Sequence, residues 1–192
     1  MASDLGTDGG EVHAAAARVL AFWFDETPPE RQFAQDAGFD AMIADRFGGL
    51  RDQVLETGAA AWRDAPEPLL AAVILLDQFT RNIHRGTARA FEADALGLEL
   101  ARAAIARGWD RAMPDAWRVF LYMPFMHAED AATQAESVRL FEALGVAENI
   151  AFARDHAEVV TRFGRFPSRN AALGRESTEA EREYLATRDS GW

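Results

Sequence analysis

The chain has 192 residues, 49% of them hydrophobic, which is enough for one domain with a substantial core or at most two small sub-bundles sharing an interface. A net charge of -11 argues against nucleic acid as a partner and against docking on a membrane surface, since both need a basic face. With no cysteine there is no disulfide, thiolate metal site or thiol catalysis, and with all 20 basic residues arginine there is no lysine for a Schiff base.

Residues 1 to 10 carry Gly, Ser and Asp without periodicity and read as a disordered leader, leaving residues 11 to 192 as a single all-helical domain. The start of the chain has no cationic and apolar signal pattern, and the longest apolar run, "LLAAVILL", is too short to span a bilayer, so a soluble cytoplasmic protein is expected. From Glu11 to Phe24 the positions Val12, Ala15, Ala16, Val19, Leu20 and Trp23 follow helical spacing. The paired prolines of "DETPPER" end that helix, and a second is predicted over Arg31 to Glu56, interrupted near Gly48 and Gly49. "DAPEPLLAAVILLDQFTRNIHRG" opens on proline in its first turn and stops at Gly86, a start and stop pair. Another helix is predicted from about Ala90 to Arg107, closed by Gly108.

Pro124 divides the next helical stretch into a short helix, a kink and a longer helix ending at Gly145. Glu148 to Phe163 follows, closed by Gly164, and Thr178 with Glu181 forms a capping box before a terminal helix. No window alternates as a strand does, so the fold is predicted to be all-α, an antiparallel array of roughly seven to nine helices. A weak period of about thirty-five residues hints at tetratricopeptide-like packing, without that repeat's Trp, Gly, Tyr and Pro pattern in register.

Polar chemistry interrupts apolar helices in three places. In the helix ending "LLDQFTRNIHRG", Leu75, Leu76, Phe79 and Ile83 take one side, and Asp77, Gln78, Arg81, His84 and Arg85 gather on the other. Asp77 and Arg81 can pair at i, i+4, so a ligand-lined cleft and an internal network are equal readings. In "MPFMHAED", Pro124 as first residue of a new helix would put His127, Asp130 and Gln134 on one inward face, with Glu129 and Glu136 solvated. A histidine in a first helical turn favours its neutral form, which suits a general base, although a core histidine bonded to Asp130 is the commoner outcome. No metal motif accompanies it, and nothing in the residues names a cofactor. In "TRFGRFPSRNAALGR", four arginines and Asn170 share a loop stiffened by Pro167, either to aim guanidinium forks at an anion or to meet the protein's own carboxylates.

Together "LDQFTRNIHRGTARAFEAD", "FLYMPFMHAED" and "HAEVVTRFGRFPSRNAALGRES", with "VLAFWF" near the start, resemble the bacterial family called domain of unknown function 924, from about Val19 to Leu185. The resemblance implies a tetratricopeptide-like all-helical fold and brings no activity with it. Where that family's pattern usually reads Phe-Pro-His-Arg-Asn, this chain has Ser168.

Three functions follow as alternatives. The first is an anionic small-molecule site in which Arg81, Arg85, Arg165 and Arg169 hold the anion, Asp77, Gln78, Asn82 and Asn170 position the ligand, and His127, oriented by Asp130, is the base. The second is a peptide-binding scaffold whose arginines clamp a carboxylate terminus. In the third, the polar clusters are internal clasps.

Overall fold

A computed structural model describes residues 7–187, with side chains from Gly9 onward. Every regular element among these residues is helical. The first six residues of the expected disordered leader lie outside the described residues, while Thr7 to Gly10 already form the first turn of a helix. No helix of the described residues is long and apolar enough to cross a membrane. The chain divides into two compact units, Met1–Arg85 with Arg89–Pro124, and Gly86–Ala88 with Phe125–Trp192.

In the N-terminal unit α1 (Thr7–Ala21) runs into a π-helical turn, Phe22–Glu26, and is followed by the one-turn α2 (Pro29–Gln32) and the long α3 (Ala37–Glu56). The expected single helix from Arg31 to Glu56 is thus two. Asp36 caps α3 by accepting from the Gly38 and Phe39 amides, and that local bond restarts the helix after a gap. Gly48 and Gly49 are tolerated inside α3 and do not interrupt it.

The next helix, α4 (Pro66–Ile74), is buried from Pro68 onward, as a helix apolar on all sides must be. It passes into a second π-helical turn, Leu75–Phe79, and the one-turn α5 (Thr80–Ile83), and then come α6 (Asp94–Ala106) and α7 (Asp115–Met126). A π-turn leaves its first carbonyl poorly placed for the regular ladder. Both turns meet this with a threonine five residues on: Thr27 Oγ1 donates to Phe22 O at 2.7 Å, and Thr80 Oγ1 to Leu75 O at 3.1 Å. The turns pack together through Phe22 and Trp23, whose rings lie 5.8 and 5.3 Å from Phe79. Thr80 also anchors the buried Arg51, whose Nε donates to its hydroxyl while the two terminal nitrogens reach Asp52 and Glu92.

Pro124 does not open a new helix: α7 runs through it and ends at Met126. The proline occupies the last turn, where its missing N–H costs one bond of the ladder. His127 therefore follows a helix C-terminus instead of starting a helix, and the argument for a neutral imidazole from a helix N-terminus loses its premise.

The C-terminal unit holds α8 (Ala131–Leu144), α9 (Ala147–Phe163), a tight turn Pro167–Arg169 and α10 (Glu179–Ala186). The two-residue link Gly145–Val146 makes α8 and α9 an antiparallel hairpin with an extensive interface. Thr178 and Glu181 form the expected capping box on α10.

Thr80→Val keeps the shape of the residue and removes the hydroxyl that serves both Leu75 O and Arg51. It is expected to lower stability by about 1–3 kcal/mol in urea unfolding, because it strands part of a buried guanidinium, while Leu75 O keeps its bond from the residue 80 amide.

Candidate functional site

Each unit gathers one group of the sequence-predicted residues. In the N-terminal unit Asp77 is only 1% exposed. Arg81, one turn along, donates to Asp77 Oδ1 at 2.9 Å and to Asp94 Oδ2 at 3.0 Å. Burial alone would depress the Arg81 guanidinium, but Asp77 and Asp94 outweigh it and hold it more firmly protonated than usual. Gln78 bonds Asp77 and lies 3.2 Å from Met123 Sδ. Asp40 of α3 takes the rest: Asn82 donates to it at 2.7 Å, and Arg85 grips it with Nε and a terminal nitrogen at 2.7 and 2.9 Å. These five predicted ligand residues converge on each other and on two carboxylates, Asp40 and Asp94, that the sequence reading did not single out.

The C-terminal unit holds the other five. Asp130 caps α8, its carboxylate accepting from the Thr133 amide at 2.8 Å and hydroxyl at 2.7 Å. Gln134, on the first turn of that helix, reaches back with Nε2 to Met126 O and Ala128 O, both at 2.7 Å. Arg169 donates to the carbonyl between them, His127 O, at 2.9 Å. His127, Asp130 and Gln134 thus share a turn and a cap, not the helix face that the sequence spacing predicted.

That fixed turn sets the His127 ring 6.3 Å from the ring of His156 on α9. His156 is buried, and its Nδ1 lies 2.8 Å from Phe152 O. A carbonyl only accepts, so Nδ1 carries the proton. Phe166 meets His156 edge-on at 5.5 Å and carries the Arg169 guanidinium 4.6 Å above its own ring.

The loop carrying Phe166 and Arg169 is clasped by two carboxylates. Glu129, expected in solvent, accepts from Arg175 at 3.0 and 2.7 Å and from the Phe166 amide at 2.9 Å. Burial would raise its pKa, but the bonds from Arg175 and Phe166 and the charge of Arg169 hold it below the ordinary carboxylate value. Glu181 of α10 accepts two bonds from Arg165, at 2.6 and 2.8 Å, and one from the Thr178 amide at 2.7 Å. With the Arg165 fork as the main cause, its pKa falls from 4.5 to about 2. Asn170 adds a bond from Nδ2 to Ser177 Oγ at 3.0 Å and a longer one to Glu181.

Four enclosed polar atoms of this region have no hydrogen-bond partner: Gln134 Oε1, Ser137 Oγ, Ser168 Oγ and Asn170 Oδ1. Gln134 and Ser137 are one turn apart on the buried side of α8, and Ser168 and Asn170 flank Arg169. Among the described residues no group of three or more metal-ligating side chains is placed to hold an ion. The chemistry gathered in this unit is that of two imidazoles, the Arg169 guanidinium and enclosed acceptor oxygens. Sequence reasoning missed His156 as a participant, although Ala153, His156 and Val159 fall at i, i+3 and i+6 on one face of α9 and that spacing marked it as buried.

A sequence profile described as bacterial protein of unknown function (DUF924) matches residues 19–189. A solved structure of a protein of unknown function from Agrobacterium tumefaciens is similar, with 41% sequence identity and a TM-score of 0.86 over 91% of this chain and 98% of that one. No curated protein matches the chain.

The depressed pKa of Glu181 makes the clasp dependent on pH. Its contribution to stability is complete above the ordinary carboxylate value of 4.5 and disappears as pH falls from there to about 2, where the folded state too takes up the proton. Urea unfolding across this range should show stability falling with pH, and Glu181→Gln should be less stable at neutral pH with a flatter acid limb. An acid limb equal to that of the unsubstituted protein would mean that Glu181 does not titrate in the clasp.

Proposed function

The chain belongs to the bacterial DUF924 family, whose description assigns no activity, and from its own side chains we propose that it binds a small anionic molecule in the C-terminal unit, beside the imidazoles of His127 and His156. The observation that carries this reading is the pairing of the His127 and His156 rings, 6.3 Å apart, beside a turn whose carbonyls are bonded by Gln134 and Arg169, with the buried Gln134 Oε1 left without a protein partner. Buried polar groups in folded proteins are nearly all bonded, and an acceptor left over beside this turn is open to a donor other than the chain.

Arg169 is the guanidinium assigned to the ligand's anionic group, because it is the one tied to the His127 turn. His127, half-buried, is the proton-exchanging group, and Asp130 fixes the start of α8 immediately after the turn. The remaining predicted arginines act as clasps in this reading. Arg81 and Arg85 hold Asp77, Asp94 and Asp40, and Arg165 holds Glu181.

A thermal-shift screen over phosphorylated and carboxylated metabolites tests the proposal. A ligand at about 100 times its Kd stabilises the native state by about 2.7 kcal/mol, which moves the Tm by several degrees. His127→Ala should abolish the shift with little change in the Tm of the free protein. Arg165→Ala should lower the Tm and leave the ligand shift in place. A screen without a single concentration-dependent shift would return the cluster to the structural role of the other clasps.

A further inference from the structure

We infer that the N-terminal unit docks a basic polypeptide segment of a partner protein on an exposed row of aromatic rings, with an arginine of the partner lying over the open face of Phe33.

Ring-to-ring contacts within that unit set the row. Phe33, just past α2, stacks on Phe120 of α7 with ring centroids 5.9 Å apart and 12° between the planes. Phe24, in the first π-turn, meets Phe120 edge-on at 5.5 Å and stacks on Trp117 at the same distance. Phe120 is buried, and Trp23 meets it edge-on from the core at 5.5 Å. Phe24 and Trp117 are half-buried, whereas Phe33 is 62% exposed, more than any other large hydrophobic side chain of the described residues. One face of Phe33 is occupied by Phe120, so the exposure belongs to the opposite face and the edge.

Neighbouring rings show what this chain sets against an aromatic face. Arg31 lies over Phe39 at 4.6 Å, Arg46 over Phe22 at 4.4 Å and Arg118 over Tyr122 at 5.7 Å. Among the described residues no arginine covers Phe24, Phe33 or Trp117. Carboxylates are in excess around the same rings. Asp25 follows Phe24, Glu30 stands one turn before Phe33, and Asp115 precedes Trp117 by two residues in the first turn of α7, all three exposed. Arg31, Arg46 and Arg118 answer Asp36, Glu26 and Asp115, but no arginine of the described residues pairs with Asp25 or Glu30.

Open ring faces beside unmatched carboxylates attract a cation and repel an anion. The same rim sets this face against a second copy of the chain, whose net charge is -11. Phe33 offers a free small cation one ring face and no enclosure. An extended segment places the side chains of one face about 7 Å apart, close to the spacing of the rings, and so engages successive rings and their carboxylates together.

Fluorescence anisotropy with a labelled peptide of alternating arginine and leucine tests the surface on the full-length protein. The peptide should bind, more weakly as salt is raised, and the matching peptide of glutamate and leucine should not. Phe33→Ala should weaken binding about fivefold or more, and Glu30→Gln should weaken it several-fold. Both positions are exposed, so neither change should move the Tm by more than about 2 °C. Phe152→Ala, which truncates an exposed phenylalanine of the C-terminal unit, should leave binding unchanged. No binding of the arginine peptide would overturn the inference. Affinity unchanged in Phe33→Ala, or lost equally in Phe152→Ala, would reduce binding to attraction by net charge and overturn it too. Free arginine binding as tightly as the peptide would assign the rings to a small cation instead. Sedimentation showing a dimer that Phe33→Ala dissociates would assign them to a second copy, and either result would overturn the polypeptide partner.

Discussion

The C-terminal unit depends on how the end of α7 satisfies its carbonyls. A helix leaves its last carbonyls without partners, and the usual remedy is a glycine in the left-handed region just past the end. Both α8 and α9 use it, at Gly145 with φ 84° and at Gly164 with φ 72°. After Met126 the chain has His127 and Ala128 instead, and side chains from elsewhere take the load. Gln134 serves the carbonyls of Met126 and Ala128, and Arg169 serves that of His127. Three bonds on three successive carbonyls make this turn rigid, and they bind the first turn of α8 and the loop after α9 to the same place.

The rest of the C-terminal polar network follows from that demand. Arg169 can reach His127 only if its loop is held, and the loop is held by Glu129 with Arg175 and by Glu181 with Arg165. Partly buried charged pairs of this kind contribute little net stability compared with an apolar replacement, and removing one partner leaves the other charge without its counterpart. Their value lies in fixing one arrangement of the loop. The N-terminal unit uses the same device independently: Asp40 gathers Asn82 and Arg85, and Asp77 with Asp94 gathers Arg81. An acidic protein whose only long basic side chain is arginine is well supplied for this, since the guanidinium fork matches a carboxylate with two bonds at once.

Local chemistry made much of the fold legible in the sequence. Proline in the first turn of α4, the Gly145 and Gly164 ends and the Thr178 capping box each depend on residues within one turn of one another, and spacing alone finds them. Sequence and structure part where an interaction is longer in range or the element is rarer. The π-turns at Phe22 and Leu75 have the composition of ordinary helix, and the threonines that complete them have no distinct pattern. Pro124 reads equally well as the first or last turn of a helix, and the choice moved His127 from one end of a dipole to the other. Glu129 looked solvated because its partner Arg175 lies 46 residues away, and periodicity reports which face a residue takes, not what it meets there. The arginine-rich loop is legible for its chemistry, but the carboxylates that meet Arg165 and Arg175, Glu181 and Glu129, stand at distances in sequence that no spacing rule covers.

The same accounting separates the parts of the C-terminal cluster. A clasp is finished when each donor has met an acceptor, as Arg165 and Glu181 have. At the His127 turn the donors of Gln134 and Arg169 are spent on backbone carbonyls, and Gln134 Oε1 is left over. Cores avoid that imbalance, because a buried acceptor without a donor costs about 1–3 kcal/mol. Retaining Gln134 and Asn170 is accounted for partly by the bonds their nitrogens make, but Ser137 makes no side-chain bond at all and is 0% exposed. The nitrogens of Gln134 and Asn170 fix the turn and the loop, and the Ser137 hydroxyl adds a bond to neither.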